Sequence, residues 1–314
     1  MAGRLRVAPF LSRGTGLTGA MTELRLIAGI ELGGTKCVAL LATGPDDVRD
    51  RVTVPTTDPQ ATLAAIEGVL DRWTIDAIGV ASFGPVGLDP ARADYGAITA
   101  TTKPGWSGTD LIGRLTARYG KPTGFQTDVN GAALAEGRWG AAQGMAAHAY
   151  ITIGTGVGVG LVTGGRPVMG WAHGEAGHMR LPRAPGDTYP GWCRFHGDCL
   201  EGLIAGPALA ERFGMPGDQL PDDAPAWDLF VHDLAGMLHN LVVTAAPERI
   251  AIGGGVTAAR PYLFPTLRAR LVESLGGYGA LAEWAEDIET RLGTPGLGTM
   301  AGPLGAIAVG LETS

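Results

Sequence analysis

The chain has 314 residues, 51 of them glycine and 21 proline, with 45% hydrophobic and 18% charged residues and a net charge of -7. This composition supplies the apolar mass for a sizeable core and excludes a collagenous, coiled-coil or largely disordered chain. The acidic balance speaks against a nucleic-acid partner, whose phosphates demand clustered Lys and Arg, and no run approaches the ~20 apolar residues of a membrane span.

Residues 1–20 hold Arg4, Arg6 and Arg13 and no acid, but their apolar stretch is only Val7–Leu11, interrupted by Pro9. That is too short for a secretory signal. The expectation for residues 1–23 is a disordered leader or a mis-assigned start, with Met21 as the natural one. An apolar run from Leu24 to Glu31 ends at Gly33-Gly34, and Cys37–Thr43 returns from it, so the pair reads as a hairpin. Arg51–Val54 reads as a third strand. Asp58–Trp73 has helical spacing and opens on Asp-Pro, the signature of an N-cap followed by a first-turn proline. Ala77–Ala81 is a buried strand ending at Gly84-Pro85. Lys103–Trp106 reads as a loop over a cleft, with Trp106 packing as a lid. Gly124–Thr127 is a short strand running into Asp128, and a helix begins by Gly131.

The opening theme then recurs. Ala149–Ile153 is a strand, Gly154-Thr155-Gly156 a turn, and Val157–Thr163 the returning strand. Arg249–Ile252 precedes Gly253-Gly254-Gly255, and Leu304–Val309 reads as a closing helix that returns to the first half. Two halves that each open on strand, glycine turn and strand predict two α/β lobes around a cleft. Neither turn is a Walker A motif, because G-x-x-x-x-G-K-[ST] is absent.

Three cysteines cannot build a disulfide framework for this length. His178, Cys193, His196 and Cys199 instead follow H-x14-C-x2-H-x2-C, which fits a closed tetrahedral zinc site with no open position for substrate. Gly197 lets the chain wrap the ion. Cys37 reads as a small core residue, and His148, His173, His232 and His239 as ordinary histidines outside any spacing pattern.

Six segments stand in one order: GIELGGTK (29–36), TDVNGAALAEG (127–137), ITIGTGVGVG (151–160), GEAGH (174–178), CRFHGDCLEG (193–202) and IAIGGGV (250–256). Together they resemble the ROK family of sugar kinases and repressors, from about Leu24 to the C-terminus. Glu31, the KPGW segment and the C-x-x-H-x-x-C-L-E-G segment resemble the bacterial fructokinases within it.

The resemblance implies an actin-like, ribonuclease H-like ATPase fold with an interlobe cleft. Its small lobe would be 24–126 plus 303–314, and its large lobe 127–302. The two glycine turns would grip ATP: Gly33, Gly34, Thr35 and Lys36 from one side, Gly154, Thr155 and Gly156 from the other. Their backbone N–H groups can approach an anion closely. Gly254 and Gly255 would lie against the adenosine, and Glu31 would hold magnesium through water. Asp128, between a strand and a helix, suits the base that takes the proton of a sugar hydroxyl; the same position also suits a helix N-cap. Asn130, Glu175, His178 and Glu201 would contact the sugar, and Ser82, Gly84 and Pro85 would border it. The zinc is expected to be structural, fixing the segment that presents Glu175 and Glu201.

The reaction so implied is ATP-dependent phosphorylation of a hexose 6-hydroxyl, fructose first, in a cytoplasmic enzyme for which the resemblance suggests a homodimer. Glucokinase, mannokinase and N-acetylmannosamine kinase are the alternatives. A repressor would need a DNA-binding module before the first motif, and only 23 residues precede Leu24. A catalytically dead sugar sensor would not need Asp128, Lys36 and both turns intact.

Overall fold

The computed structural model describes residues 25–313, so the expectations for the leader and for Leu24 lie outside it. The first strand, β1 (Ile27–Leu32), is buried along almost its whole length, and its neighbour β2 (Lys36–Gly44) is buried through its middle. β3 (Asp47–Pro55) is mostly exposed, as an edge strand with charged residues should be. Helix α1 (Pro59–Leu70) starts as the sequence predicts: the Asp58 carboxylate accepts from the Ala61 N–H at 2.9 Å, and Pro59 occupies the first turn. All six residues of β4 (Ala77–Ser82) are buried. Two short strands, β5 (Ala97–Ile98) and β6 (Thr109–Asp110), pair with each other, and α2 (Ile112–Tyr119) ends at Gly120 in the left-handed conformation. β7 (Thr123–Thr127) completes a five-stranded sheet in the order β3-β2-β1-β4-β7.

Helix α3 begins at Asp128 and ends at Trp139, three residues earlier than its glycine suggested. β8 (Ala147–Ile153), β9 (Val157–Thr163) and β10 (Arg166–Pro167) follow. A largely irregular stretch then carries the Cys–His segment into α4 (Leu200–Ile204), α5 (Gly206–Phe213) and the long α6 (Ala226–Ala245). The chain continues through β11 (Arg249–Gly253), α7 (Gly255–Ala258), α8 (Leu263–Leu275), α9 (Ala280–Glu286), α10 (Ile288–Arg291), β12 (Leu292–Gly293) and α11 (Ala301–Leu311). The second sheet has the order β10-β9-β8-β11-β12.

The two sheets are built alike. Each starts with an antiparallel hairpin whose turn is one of the glycine segments, β1–β2 and β8–β9. A third antiparallel strand lies on one side, and two parallel strands are added on the other. Parallel neighbours need crossovers, and helices supply them in both halves.

Each sheet has its own hydrophobic core, and a third cluster lies between them, built largely from α3 and α11. α11 packs on β1 and β4, and α3 packs on β8 and β9. The two helices meet through glycines: a Cβ on Gly305 would stand 2.4 Å from the Gly131 carbonyl carbon, so the backbones themselves touch. Gly79 on β4 leaves room in the same way for the backbone of Ala306 and Gly310.

Trp106 corrects one expectation. It is fully buried in the first core, edge-on to Phe83 at 5.2 Å, and its indole N–H donates to the Thr57 carbonyl at 2.9 Å. It anchors its loop rather than serving as a lid. Cys37 is a buried core residue, as expected. No helix among the described residues is long and apolar enough to cross a membrane.

Candidate active site

Asp128 stands where β7 of the first sheet runs directly into α3, the helix that packs on the second sheet. The cap of α3 is Thr127, whose hydroxyl accepts from the Asn130 N–H at 3.1 Å. The Asp128 carboxylate is therefore released from capping and accepts from the adjacent Val129 N–H, at 2.9 Å. Burial pushes this carboxyl up to about 7, and the negative charges of Glu31 and Glu175 add to the rise. A carboxyl poised there can take a proton near neutral pH. Asn130 is buried, and its amide donates to Gln126 Oε1 at 2.9 Å.

The first glycine turn is held by the Gly33 N–H donating to the Lys36 carbonyl at 3.1 Å, and Thr56 ties its far end by donating to the Thr35 carbonyl. Lys103, from the loop anchored by Trp106, donates its ammonium to the Gly34 carbonyl. A cation from the KPGW segment thus joins the turn together with Lys36, a role the sequence reading did not assign. Glu31 lies near the end of β1. Burial raises its carboxyl above the ordinary range, while Lys36 and Arg51 pull against that rise. Gly302, just inside α11, clears space for it, since a Cβ there would lie 2.0 Å from Glu31 Oε1.

The second turn is closed by Gly154 N–H donating to the Gly156 carbonyl at 2.9 Å, and it is fastened to α5 by Gly206 N–H donating to the Gly154 carbonyl at 2.7 Å. Thr155 is exposed at its tip. Glu201, in the first turn of α4, accepts from the Val157 N–H at 3.1 Å, and its carboxylate occupies the space a Cβ on Gly156 would need. Gly254 adopts φ +92°, with the backbone of Ile153 packed where a Cβ would go, so it lies beside the same turn, and Gly255 opens α7.

The predicted metal ligands converge. One donor atom each from His178, Cys193, His196 and Cys199 lies within 4.8 Å of the others. Tetrahedral zinc with Zn–S of ~2.3 Å and Zn–N of ~2.0 Å needs donors about 3.3–3.8 Å apart. His178 Nδ1 is 3.4 Å from Cys199 Sγ and 3.7 Å from Cys193 Sγ, so the donor set fits the ion. The loop is prefolded by a reciprocal pair of backbone bonds between Cys193 and Gly197, with Gly197 at φ +61°. A chain of charges braces it from behind. Asp198 meets Arg180 and Arg183, Arg183 meets Asp187, Asp187 meets Arg212 at 2.6 Å, and Arg212 meets the buried Asp233 of α6. His178 Nδ1 also lies 3.9 Å from Glu201 Oε1, which links the metal cluster to the second turn.

Glu175 stands at the entrance to a short 3-10 turn, Ala176–His178. Desolvation raises its carboxyl above the ordinary range, against the charges of His173 and His178. His173 has a side chain only 6% exposed, set against both Glu175 and Val86. The other three behave as expected. His148 is buried against the Ala133 carbonyl, His232 meets the Pro182 carbonyl, and His239 bonds Ser274.

The sequence profile of the ROK family matches residues 27–312. A fructokinase of Pediococcus pentosaceus is 40% identical over 282 residues, covering 90% of this chain and 96% of that protein. A putative fructokinase of Bacillus subtilis (strain 168) is 37% identical over 284 residues, with coverage of 90% and 95%. Among solved structures, the ROK hexokinase of Thermus thermophilus superposes with a TM-score of 0.69 at 29% identity, covering 91% of this chain and 97% of that one.

Proposed function

The chain belongs to the ROK family, and from that membership we propose that it is an ATP-dependent fructokinase that phosphorylates the 6-hydroxyl of fructose. Its fold is the actin-like ATPase fold of the ROK sugar kinases. The observation that carries the mechanism is Asp128, a carboxyl lifted to about 7 and freed from capping by Thr127. As the sugar oxygen attacks the γ-phosphorus, its proton passes to Asp128, and the bond from the γ-phosphorus to the bridging oxygen breaks to release ADP.

The backbone N–H groups of Gly34 and Thr35 hold the phosphates from one side, and those of Thr155 and Gly156 from the other, while Gly33 and Gly154 spend theirs closing the two turns. Lys36 and Lys103 add positive charge at the first turn. Gly255, with nothing packed where its Cβ would stand, leaves an open flank for the adenosine next to Gly254. Glu31 holds the water shell of a magnesium ion, which when bound neutralises charge on the phosphates. Glu175 binds the sugar hydroxyls, Asn130 borders them, and Glu201 and His178 complete that side. His178, Cys193, His196 and Cys199 hold a zinc ion whose task is structural: it fixes the segments bearing Glu175 and Glu201. The lobes 24–126 with 303–314 and 127–302 close over both substrates and expel water. The donor nucleotide belongs to the cytoplasm, and so does the enzyme.

The relatives named fructokinase support fructose over the other hexoses. A coupled ADP-release assay with magnesium, offering fructose, mannose, glucose and N-acetylmannosamine in parallel, tests this. The expected outcome is a kcat/KM for fructose at least tenfold above the others. Preference for another hexose would keep the mechanism and replace the substrate. No turnover with any of them, in folded zinc-loaded protein, would overturn the kinase reading.

A further inference from the structure

His173 lies in the segment after β10, on the second sheet's side, yet its main partner belongs to the first. The Val86 N–H, in the loop after β4, donates to His173 Nε2 at 3.1 Å. A backbone N–H can only donate, so Nε2 is the unprotonated nitrogen and the ring proton of the neutral imidazole sits on Nδ1. Nδ1 faces Oε1 of Glu175 at 3.4 Å and lies 3.4 Å from the Gly174 carbonyl. The Val86 bond thus sets the imidazole so that its one N–H bonds the Gly174 carbonyl, with Nδ1 beside the Glu175 carboxylate. Gly84 lies alongside the pair: a Cβ there would make ordinary contacts, 3.6 Å from His173 Cε1 and 3.9 Å from Glu175 Oε1. The His173 side chain is 6% exposed while that of Glu175 is 49% exposed. One end of the pair is fixed, and the other is open to a ligand.

We propose that His173 is a positioning residue that clasps the Phe83–Val86 loop of the first sheet to Glu175 of the second, orienting that carboxylate for the sugar. The proposal rests on the reading of Glu175 as the sugar-holding carboxylate. The clasp holds the backbone at Gly174 and sets Nδ1 beside one Glu175 oxygen, leaving the other for a sugar hydroxyl. A contact of this kind can shorten when the ligand arrives. Because the clasp spans the two sheets, sugar binding at Glu175 also pulls on the loop that borders the cleft, which couples sugar affinity to lobe position.

The test is steady-state kinetics of H173A, H173Q and E175Q beside the wild type, with zinc content and melting temperature measured for each. Losing one contact that orients the carboxylate corresponds to ~tenfold in affinity. The expected result for H173A is a fructose KM raised about tenfold, with kcat within threefold and the KM for ATP within twofold of wild type. Gln can accept from the Val86 N–H and donate to the carboxylate, so H173Q should recover most of the fructose KM. A wild-type fructose KM in H173A, in a protein where E175Q raises it, would overturn the clasp and leave the sugar site standing. An unchanged fructose KM in E175Q would overturn the sugar role of Glu175 and the clasp with it. A loss in H173A spread equally over kcat and both KM values, with no recovery in H173Q, would reduce His173 to general scaffolding and also overturn the proposal.

Discussion

Burial at Asp128 acts on catalysis and on stability in opposite senses. Its carboxyl is raised to about 7, far above the ~3.9 of an unfolded chain. The base must be ionised to accept a proton, so kcat/KM should rise with pH along an acid limb centred near 7 and then level off. Stability runs the other way. Between pH 4 and 7 the unfolded chain releases this proton while the folded chain keeps it, so stability falls as pH rises through that window and the loss is complete above 7. Asp128→Asn removes both effects. Turnover should fall by about 10³-fold, while the melting temperature at pH 8 should rise by about 2–6 °C, with the gain vanishing toward pH 4. Calorimetry across pH beside the ADP-release assay checks both. A variant that kept turnover would remove Asp128 from the chemistry. At this scale the sequence displayed what is local. Asp58-Pro59 announced its cap, and H-x14-C-x2-H-x2-C announced its cluster. His173 could not be read, because the partner that orients it is 87 residues away and is a backbone N–H.

Among the elements, the Cys–His loop has the most to hold in place. It packs thiols and imidazoles within 4.8 Å, and its outer side is tied through Asp198, Arg183, Asp187 and Arg212 to Asp233 on α6. Its buried members, Asp187, Arg212 and Asp233, are tolerated because each meets an opposite charge, and deleting a single partner is costly. Chelation of the purified protein should therefore release one equivalent of zinc, lower the melting temperature by about 5–10 °C and raise the fructose KM more than the KM for ATP. Metal analysis, calorimetry and kinetics on the same sample check this. A chelated protein with unaltered melting and unaltered fructose KM would end the structural-zinc reading. The hairpins, their turns and helix α1 were legible because glycine, proline and capping residues act over a few positions. The ion chain behind the loop was not legible, since its members come from four separate segments. Trp106 was misjudged because nothing in KPGW tells which way its indole faces; Phe83 and Thr57 decide that.

Over the whole molecule, the two sheets are joined by α3 and α11, which touch at Gly131 and Gly305 with no side chain between them. Gly305→Ala would force the helices apart or bend them. It should destabilise the protein by about 2–3 kcal/mol, as overpacking does, and depress turnover with every hexose alike. Urea unfolding and the four-sugar assay check this, and a neutral substitution would argue that the helices separate freely. The repeat of hairpin, edge strand and two parallel additions was visible in outline from the two glycine turns. The glycine contact was not, because its halves lie at opposite ends of the chain.

That separation sets a timetable for the newborn protein. Gly29, Gly79 and Gly124 on the first sheet all pack against α11, the last described helix. About 170 residues separate the end of β7 from the start of α11, which at ~5–20 residues per second leaves the ribosome working for roughly 10–30 s. Through that interval the first-made sheet waits with one apolar face bare. The face that later seals the molecule is, during its birth, the surface most in need of a chaperone's cover.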